Sequence, residues 1–191
     1  MANEYLEDAL HELGLITKKV QAEFGRLSAA QLNWKPAEDK WSIGQCLDHL
    51  IKTNQQYFPL FEAISQGRKK KTFWGSLPGL PGFWGRMMLK GLAASSNKKF
   101  KAPAVFKPSS SNIPGSIVSD FVQHQQELTR LIKATATVNH DKTIVTSPVS
   151  PVITYSLKDC VNICAVHEER HYLQAKRVMQ QKNFPGNPVT A

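Results

Sequence analysis

The run His167-Glu168-Glu169-Arg170-His171 sets two imidazoles four residues apart. On a helix, residues i and i+4 lie on one face, one above the other, so both rings can reach a single metal ion. The literal pattern is HExxH, the helical signature of zinc peptidases. The residues that follow do not extend it. A metzincin needs Gly where this chain has Gln174, and a third His where it has Arg177. Nothing after His171 is Asp, Glu or His, so the downstream carboxylate of a gluzincin is missing as well. A third ligand must come from upstream, and His49 is the best candidate. The plainer alternative is a surface helix with two incidental histidines. A lone His beside a core stripe, as His49 is, is also more often a hydrogen-bonded core residue than a ligand.

Three neutral imidazoles would leave a divalent ion at 2+ with at least one open position. Water there is acidified towards a pKa of ~7, and a thiol is deprotonated outright. Hydrolysis and thiol transfer could therefore share one ligand set. Zinc and nickel both suit imidazole, and iron is a further option. Glu168 is turned about 100° from His167, beside the metal face. It is a candidate catalytic base, weighed against a solvent-facing role or a hydrogen bond behind the ligands. Gln174, one turn past His171, is a candidate contact for substrate or for a ligand histidine. Of Cys46, Cys160 and Cys164, the last is the strongest alternative ligand, although free cysteines mostly pack as small hydrophobes.

The elements that must position these residues read as helices. Leu6, Leu10, Leu13, Ile16, Val20 and Phe24 recur every three or four residues, giving an amphipathic helix over about 3–25. Ser42 and Gln45 form a capping box flanked by Trp41 and Cys46, and the stripe behind it runs through Leu47, Leu50, Tyr57, Phe61 and Ile64. Pro59 should bend that helix or mark its last turns. A third helix is expected from Pro114 to about Ala136, with His124 near its inner face. A fourth starts at Ser156 and carries Cys160, Cys164, His167, His171, Gln174 and Val178 inward. A helix that only packs would not place two imidazoles in its core stripe, because each must find hydrogen-bond partners. Residues 137–155 read as an irregular or briefly extended link, with His140 in an exposed turn. From Asn183 to 191 the tail reads as loose.

The chain of 191 residues is most simply one domain, 1–191, with no apolar run of the ~20 residues a membrane span needs. Its net charge of +9 is concentrated: residues 63–119 hold ten Lys/Arg and no acid. Within it, 66–112 is a Gly/Pro/aromatic-rich crossover, with a short helix expected near Gly82–Ala94. Such a length invites a functional role, and a basic-aromatic mixture allows contact with phosphate, nucleic acid or a membrane surface. The favoured reading is blander: the aromatics cap one end of the bundle and the lysines are solvated. The acidic N-terminus does not read as a signal peptide, and three unpaired cysteines favour a reducing cytoplasm.

Together, Trp34-Lys35-Pro36, Trp41-Ser42-Ile43-Gly44-Gln45-Cys46-Leu47-Asp48-His49 and His167-Glu168-Glu169-Arg170-His171-Tyr172-Leu173-Gln174 resemble the DinB-like superfamily. The resemblance covers nearly the whole chain. It implies an all-α four-helix bundle with a long crossover between helices 2 and 3, and a metal triad on His49, His167 and His171. Its relatives include bacillithiol-type thiol S-transferases, mycothiol-dependent enzymes and metal-dependent hydrolases. The expected activity is therefore metal-assisted transfer of a thiol, from a low-molecular-weight thiol cofactor, to a small electrophile. Metal-dependent hydrolysis is one alternative, and a binding module with a structural metal and a basic surface is another. The expected partner is a small-molecule substrate rather than nucleic acid or membrane, with a homodimer left open.

Overall fold

A computed structural model describes residues 4–68, 72–94, 96, 106–109 and 112–186. The fold is all-α. Helices α1 (Tyr5–Phe24), α2 (Ala29–Asn33), α3 (Ile43–Gln55), α4 (Phe58–Ser65), α5 (Leu80–Leu92), α6 (Ile117–Lys133) and α7 (Leu157–Met179) are joined by a 3-10 turn at Trp74–Ser76 and a small hairpin. In the hairpin β1 (Ile144–Thr146) runs antiparallel to β2 (Thr154–Ser156), with Val145 opposite Tyr155.

Local chemistry sets the helix starts. Ser28 and Ser42 each accept the N–H three residues on, while Gln31 and Gln45 reach back, so both capping boxes are complete. Ser156 caps α7 through the Asp159 N–H. The second long helix is not continuous to Ile64. It ends at Gln55, and Pro59 occupies the first turn of α4, where a missing N–H leaves no hydrogen bond unmade.

Helix α3 packs against α6 and α7, and α1 packs against the same two. Two apolar clusters fill this arrangement. One holds Leu10 and Leu13 of α1, Phe61 of α4, Leu128 and Leu131 of α6, and Cys160 and Cys164 of α7. The other holds Ile16 and Val20 of α1, Leu47 and Leu50 of α3, Phe121 of α6, and Tyr172 and Ala175 of α7. Along the chain, α3–α4 and α6 pass from the second cluster to the first, whereas α1 and α7 pass the other way. Helices α3 and α6 therefore run parallel, and the chain between them must travel back along the bundle. That is the physical reason for the long crossover.

Where α3, α6 and α7 change clusters, their inner faces turn polar: His49 and Asn54, His124 and Gln125, then His167, Glu168 and His171, all buried. A polar layer thus crosses the middle of an apolar interior.

Within the crossover, α5 docks on α7 and β2. Gly85 permits the contact, since a Cβ there would run into the Asp159 carboxylate. Residues 69–71, 95, 97–105 and 110–111 of the crossover lie outside the described residues.

Three expectations need correction. His140 is fully buried rather than in an exposed turn: Tyr5 bonds its Nδ1, and its Nε2 donates to the Thr135 carbonyl at 2.9 Å. This ties the end of α6 to the start of α1, a tertiary role that the local Asn-His-Asp sequence does not reveal. The first residues of the tail are docked, with Phe184 buried edge-on against Trp34 and Gln31 donating to the Pro185 carbonyl; 187–191 lie outside the described residues. The crossover aromatics do not all cap the bundle either, because Phe73 is 71 % exposed and Phe83 is 52 % exposed.

Candidate metal centre

Helix α3 supplies His49 and α7 supplies His167 and His171, and their ring nitrogens come within 4.8 Å of one another. The three residues are all buried. His49 Nε2 and His167 Nε2 are 3.2 Å apart. Two imidazoles on one tetrahedral ion, with bonds of about 2.05 Å, would have nitrogens about 3.3 Å apart. The Nδ1–H of His49 donates to the Phe106 carbonyl at 2.5 Å, which leaves Nε2 as the bare nitrogen facing His167. His171 Nδ1 is buried with no hydrogen-bond partner in the protein. Trp41 lies against two of the rings, stacked on His171 at 5.6 Å and tilted over His49 at 4.9 Å.

Burial lowers the basicity of all three. His167 is pushed down to about 3 by desolvation, then by His49 and Arg170. His171 is held well below the usual range by burial, by the other two histidines and by Arg170, with a hydrogen bond to Gln174 acting the other way. His49 is lowered by burial, against the opposing effects of the Phe106 carbonyl and Asp48. Three neutral rings with convergent lone pairs are the donor set a divalent ion needs. The residues present therefore fit a metal, and this cluster could hold one.

No cysteine joins the cluster. Cys46, Cys160 and Cys164 are free and buried, and burial pushes the Cys46 thiol up to about 12. His124 stays apart too, stacked on Phe58, its Nε2 unpartnered and its pKa pushed down to about 4 by burial.

Glu168 is neither solvent-facing nor directed at the cavity beside the histidines. It is completely buried, its Oε1 accepting from Asn54 at 2.7 Å and Gln125 at 2.6 Å, and burial pushes its pKa up to about 8. Sequence reasoning missed these two amides. The available signal was an uncharged polar residue inside an otherwise apolar stripe, between Leu50 and Tyr57 in one case and between Phe121 and Leu128 in the other.

A strap formed by residues 106–109 was also invisible in the sequence. Asp48 accepts the Ser109 N–H at 2.6 Å, Gln45 donates to the Ser109 carbonyl, and Lys52 donates to its hydroxyl. These bonds fix the chain that offers its Phe106 carbonyl to His49. Arg170, between the two histidines of α7, donates to the carbonyls of Ala93 and Ser96 and so gathers the end of α5.

A cavity of about 1630 Å³ opens onto the triad. Met87, Met88 and Leu92 of α5 give it an apolar wall, and Trp41, Gln174 and Arg177 line it near the histidines. The site is thus a three-histidine centre facing an accessible chamber inside a helical protein.

Sequence comparison places the chain in a known family. The family model of the DinB superfamily matches residues 13–175, which include all three histidines, and the chain belongs to that superfamily. Comparison with curated proteins and with solved structures gives no match.

Proposed function

We propose that this protein is a metal-dependent enzyme that binds a divalent ion, zinc or nickel in preference to iron, at His49, His167 and His171, and activates a low-molecular-weight thiol for transfer to a small electrophile. One observation carries the reading. The cavity reaches the histidine cluster, and no fourth His, Cys, Asp or Glu joins that cluster among the described residues. A structural site is normally closed by four protein ligands, whereas a catalytic one keeps a position for water or substrate. A divalent ion there makes a thiol ionise at neutral pH. The protein's own part is to hold three neutral imidazoles in register, to keep one wall of the chamber dry with Met87, Met88 and Leu92, and to place Gln174 beside His171 and Arg177 in the wall.

Thiol transfer is preferred over hydrolysis because the residue in the peptidase base position, Glu168, points away into α3 and α6. The carboxylates that do line the cavity, Glu38 and Asp39, are exposed, and Asp39 is paired with Lys40. Hydrolysis would have to proceed without a buried general base.

The test pairs metal analysis with turnover. Untagged protein should carry about one divalent ion per chain. It should also accelerate conjugation of 1-chloro-2,4-dinitrobenzene with at least one member of a panel of cellular thiols. His49→Ala and His171→Ala should lose both properties. Stoichiometric metal in His49→Ala would reject the cross-helix site. A full metal load with no thiol-dependent turnover, but with ester or amide cleavage, would transfer the reading to hydrolysis. Absence of both activities would favour the binding module.

A further inference from the structure

Helix α5 has two faces. Pro81, Gly85 and Gly91 are buried, and Met87, Met88 and Leu92 line the cavity. The opposite stripe, Phe83, Arg86 and Lys90 at i, i+3 and i+7, is exposed. The 3-10 turn packs against α5 and adds Phe73 and Trp74, which are 71 % and 38 % exposed. Neither Arg86 nor Lys90 has an ion-pair partner among the described residues. The segment from 63 to 119 that contains this face has ten basic residues and no acid.

Exposed large aromatics are costly unless something covers them. Here they are set beside uncompensated cations on a helix whose other side is fixed to the bundle. That combination matches an interfacial face, with Phe and Trp at the headgroup boundary and Lys or Arg at lipid phosphates. A nucleic acid could use the cations and stack bases on the rings. However, exposed Pro78 and half-buried Leu77 and Leu80 extend the surface as apolar rather than polar, which suits acyl chains better than a phosphate backbone.

We propose that α5 and the 3-10 turn form a peripheral docking face for an anionic lipid bilayer, with Phe73, Trp74 and Phe83 entering the boundary between headgroups and acyl chains, and Arg86 and Lys90 meeting lipid phosphates. No helix among the described residues is long and apolar enough to cross a membrane, so the contact is a surface one. The proposal is independent of the metal reading, although α5 would bring one wall of the cavity close to the lipid.

The experiment is flotation of the full chain with vesicles of phosphatidylglycerol in phosphatidylcholine, and with phosphatidylcholine alone. The protein should float only with the anionic vesicles, and binding should weaken between about 0.05 M and about 0.5 M salt. Phe73→Ser with Phe83→Ser should lower partitioning on the order of tenfold. Arg86→Glu with Lys90→Glu should lower it similarly and flatten the salt dependence. All four residues are exposed, so the variants should melt like the parent and keep its metal content. Four results would overturn the proposal: no flotation at low salt, flotation unchanged by the aromatic substitutions, binding to duplex DNA without binding to vesicles, or self-association abolished by the same aromatic substitutions.

Discussion

Asn54 of α3 and Glu168 of α7 are joined by a 2.7 Å hydrogen bond, and Gln125 of α6 donates to the same carboxylate oxygen at 2.6 Å. One side chain therefore links three helices, immediately next to the first histidine of the HxxxH pair. Its second oxygen is buried without a partner, as are the amide oxygens of Asn54 and Gln125. A proton on that carboxyl relieves part of the burden, which agrees with burial pushing its pKa to about 8.

Truncating this carboxyl should be costly. Glu168→Ala leaves two buried amide donors unmet and should lose about 2–4 kcal/mol in urea unfolding. Glu168→Gln retains an acceptor oxygen and should lose less than half of that. If Glu168 were a catalytic base, Glu168→Gln would remove turnover at unchanged stability. The geometry predicts the reverse, with folding sensitive and turnover largely kept.

The pH dependence of the metal-free protein should have two opposed limbs. His167 and His124 titrate near 3 and 4 when folded, against about 6.5 when unfolded, so the unfolded chain binds more protons between those values. His49 and His171 are shifted in the same direction. Stability should therefore rise with pH from about 4 to about 6.5. Glu168 works oppositely: folded near 8 and about 4.3 when unfolded, it makes the folded state bind the extra proton, so stability should fall from about 6.5 to about 8. A melting series should peak near pH 6.5. Glu168→Gln should remove the descending limb and leave the ascending one.

Metal should stabilise what the histidines lack. Zinc or nickel at about 100 times its dissociation constant adds about 2.7 kcal/mol, which for a chain of this size is a rise in Tm of roughly 5–10 °C. The rise should disappear in His171→Ala. It should also shrink below pH 6, where protons compete for the same nitrogens. Calorimetry with and without a chelator measures it.

The helices and the triad were legible because both are short-range signals. Two capping boxes, a stripe every three or four residues, and an i, i+4 histidine pair with one upstream His are written within single turns of helix. What the sequence concealed depends on which chain segment crosses another. His140 looks like a turn residue until Tyr5 and Thr135 close over it. Glu168, beside His167, reads as a base, a solvent-facing residue or a hydrogen-bond partner behind the ligands, because the polar pair that buries it comes from two other helices. Trp41 reads as the flank of a capping box, yet it lies against His49 and His171. Within the crossover the short helix expected near Gly82–Ala94 is present as α5, Leu80–Leu92, but only its packing on α7 separates its buried face from its exposed one.

The strap over α3 should tune the centre without supplying a ligand. Asp48 binds the Ser109 N–H and pairs with Lys52 at 2.9 Å, holding the Phe106 carbonyl against His49. Asp48→Ala should release residues 106–109 to faster amide exchange. It should weaken zinc binding about tenfold, because the bond that orients His49 becomes mobile. Asp48→Asn, which can still accept the Ser109 N–H, should recover most of the affinity. Equal affinity in all three proteins would mean that the Phe106 carbonyl is held by other contacts.

The clamp between α7 and α5 should separate the wall of the chamber from its floor. Arg170 lies between the two histidines of α7, yet its Nη1 faces the Ala93 carbonyl at 3.1 Å and the Ser96 carbonyl at 3.2 Å. Arg170→Met keeps the length of the side chain and removes those bonds, at a cost of about 1–3 kcal/mol. It also removes a positive charge that depresses His167 and His171, so both rings become more basic. Gly85→Ala attacks the same contact from the other side, where the new methyl meets the Asp159 carboxylate. Both variants should raise amide exchange over Leu80–Leu92 while α3 and α6 stay protected. Only Arg170→Met should shift the pH dependence of zinc binding, with protons competing up to a higher pH. If Gly85→Ala shifted it equally, α5 itself would be shaping the histidine environment, and the separation of wall from floor would be wrong.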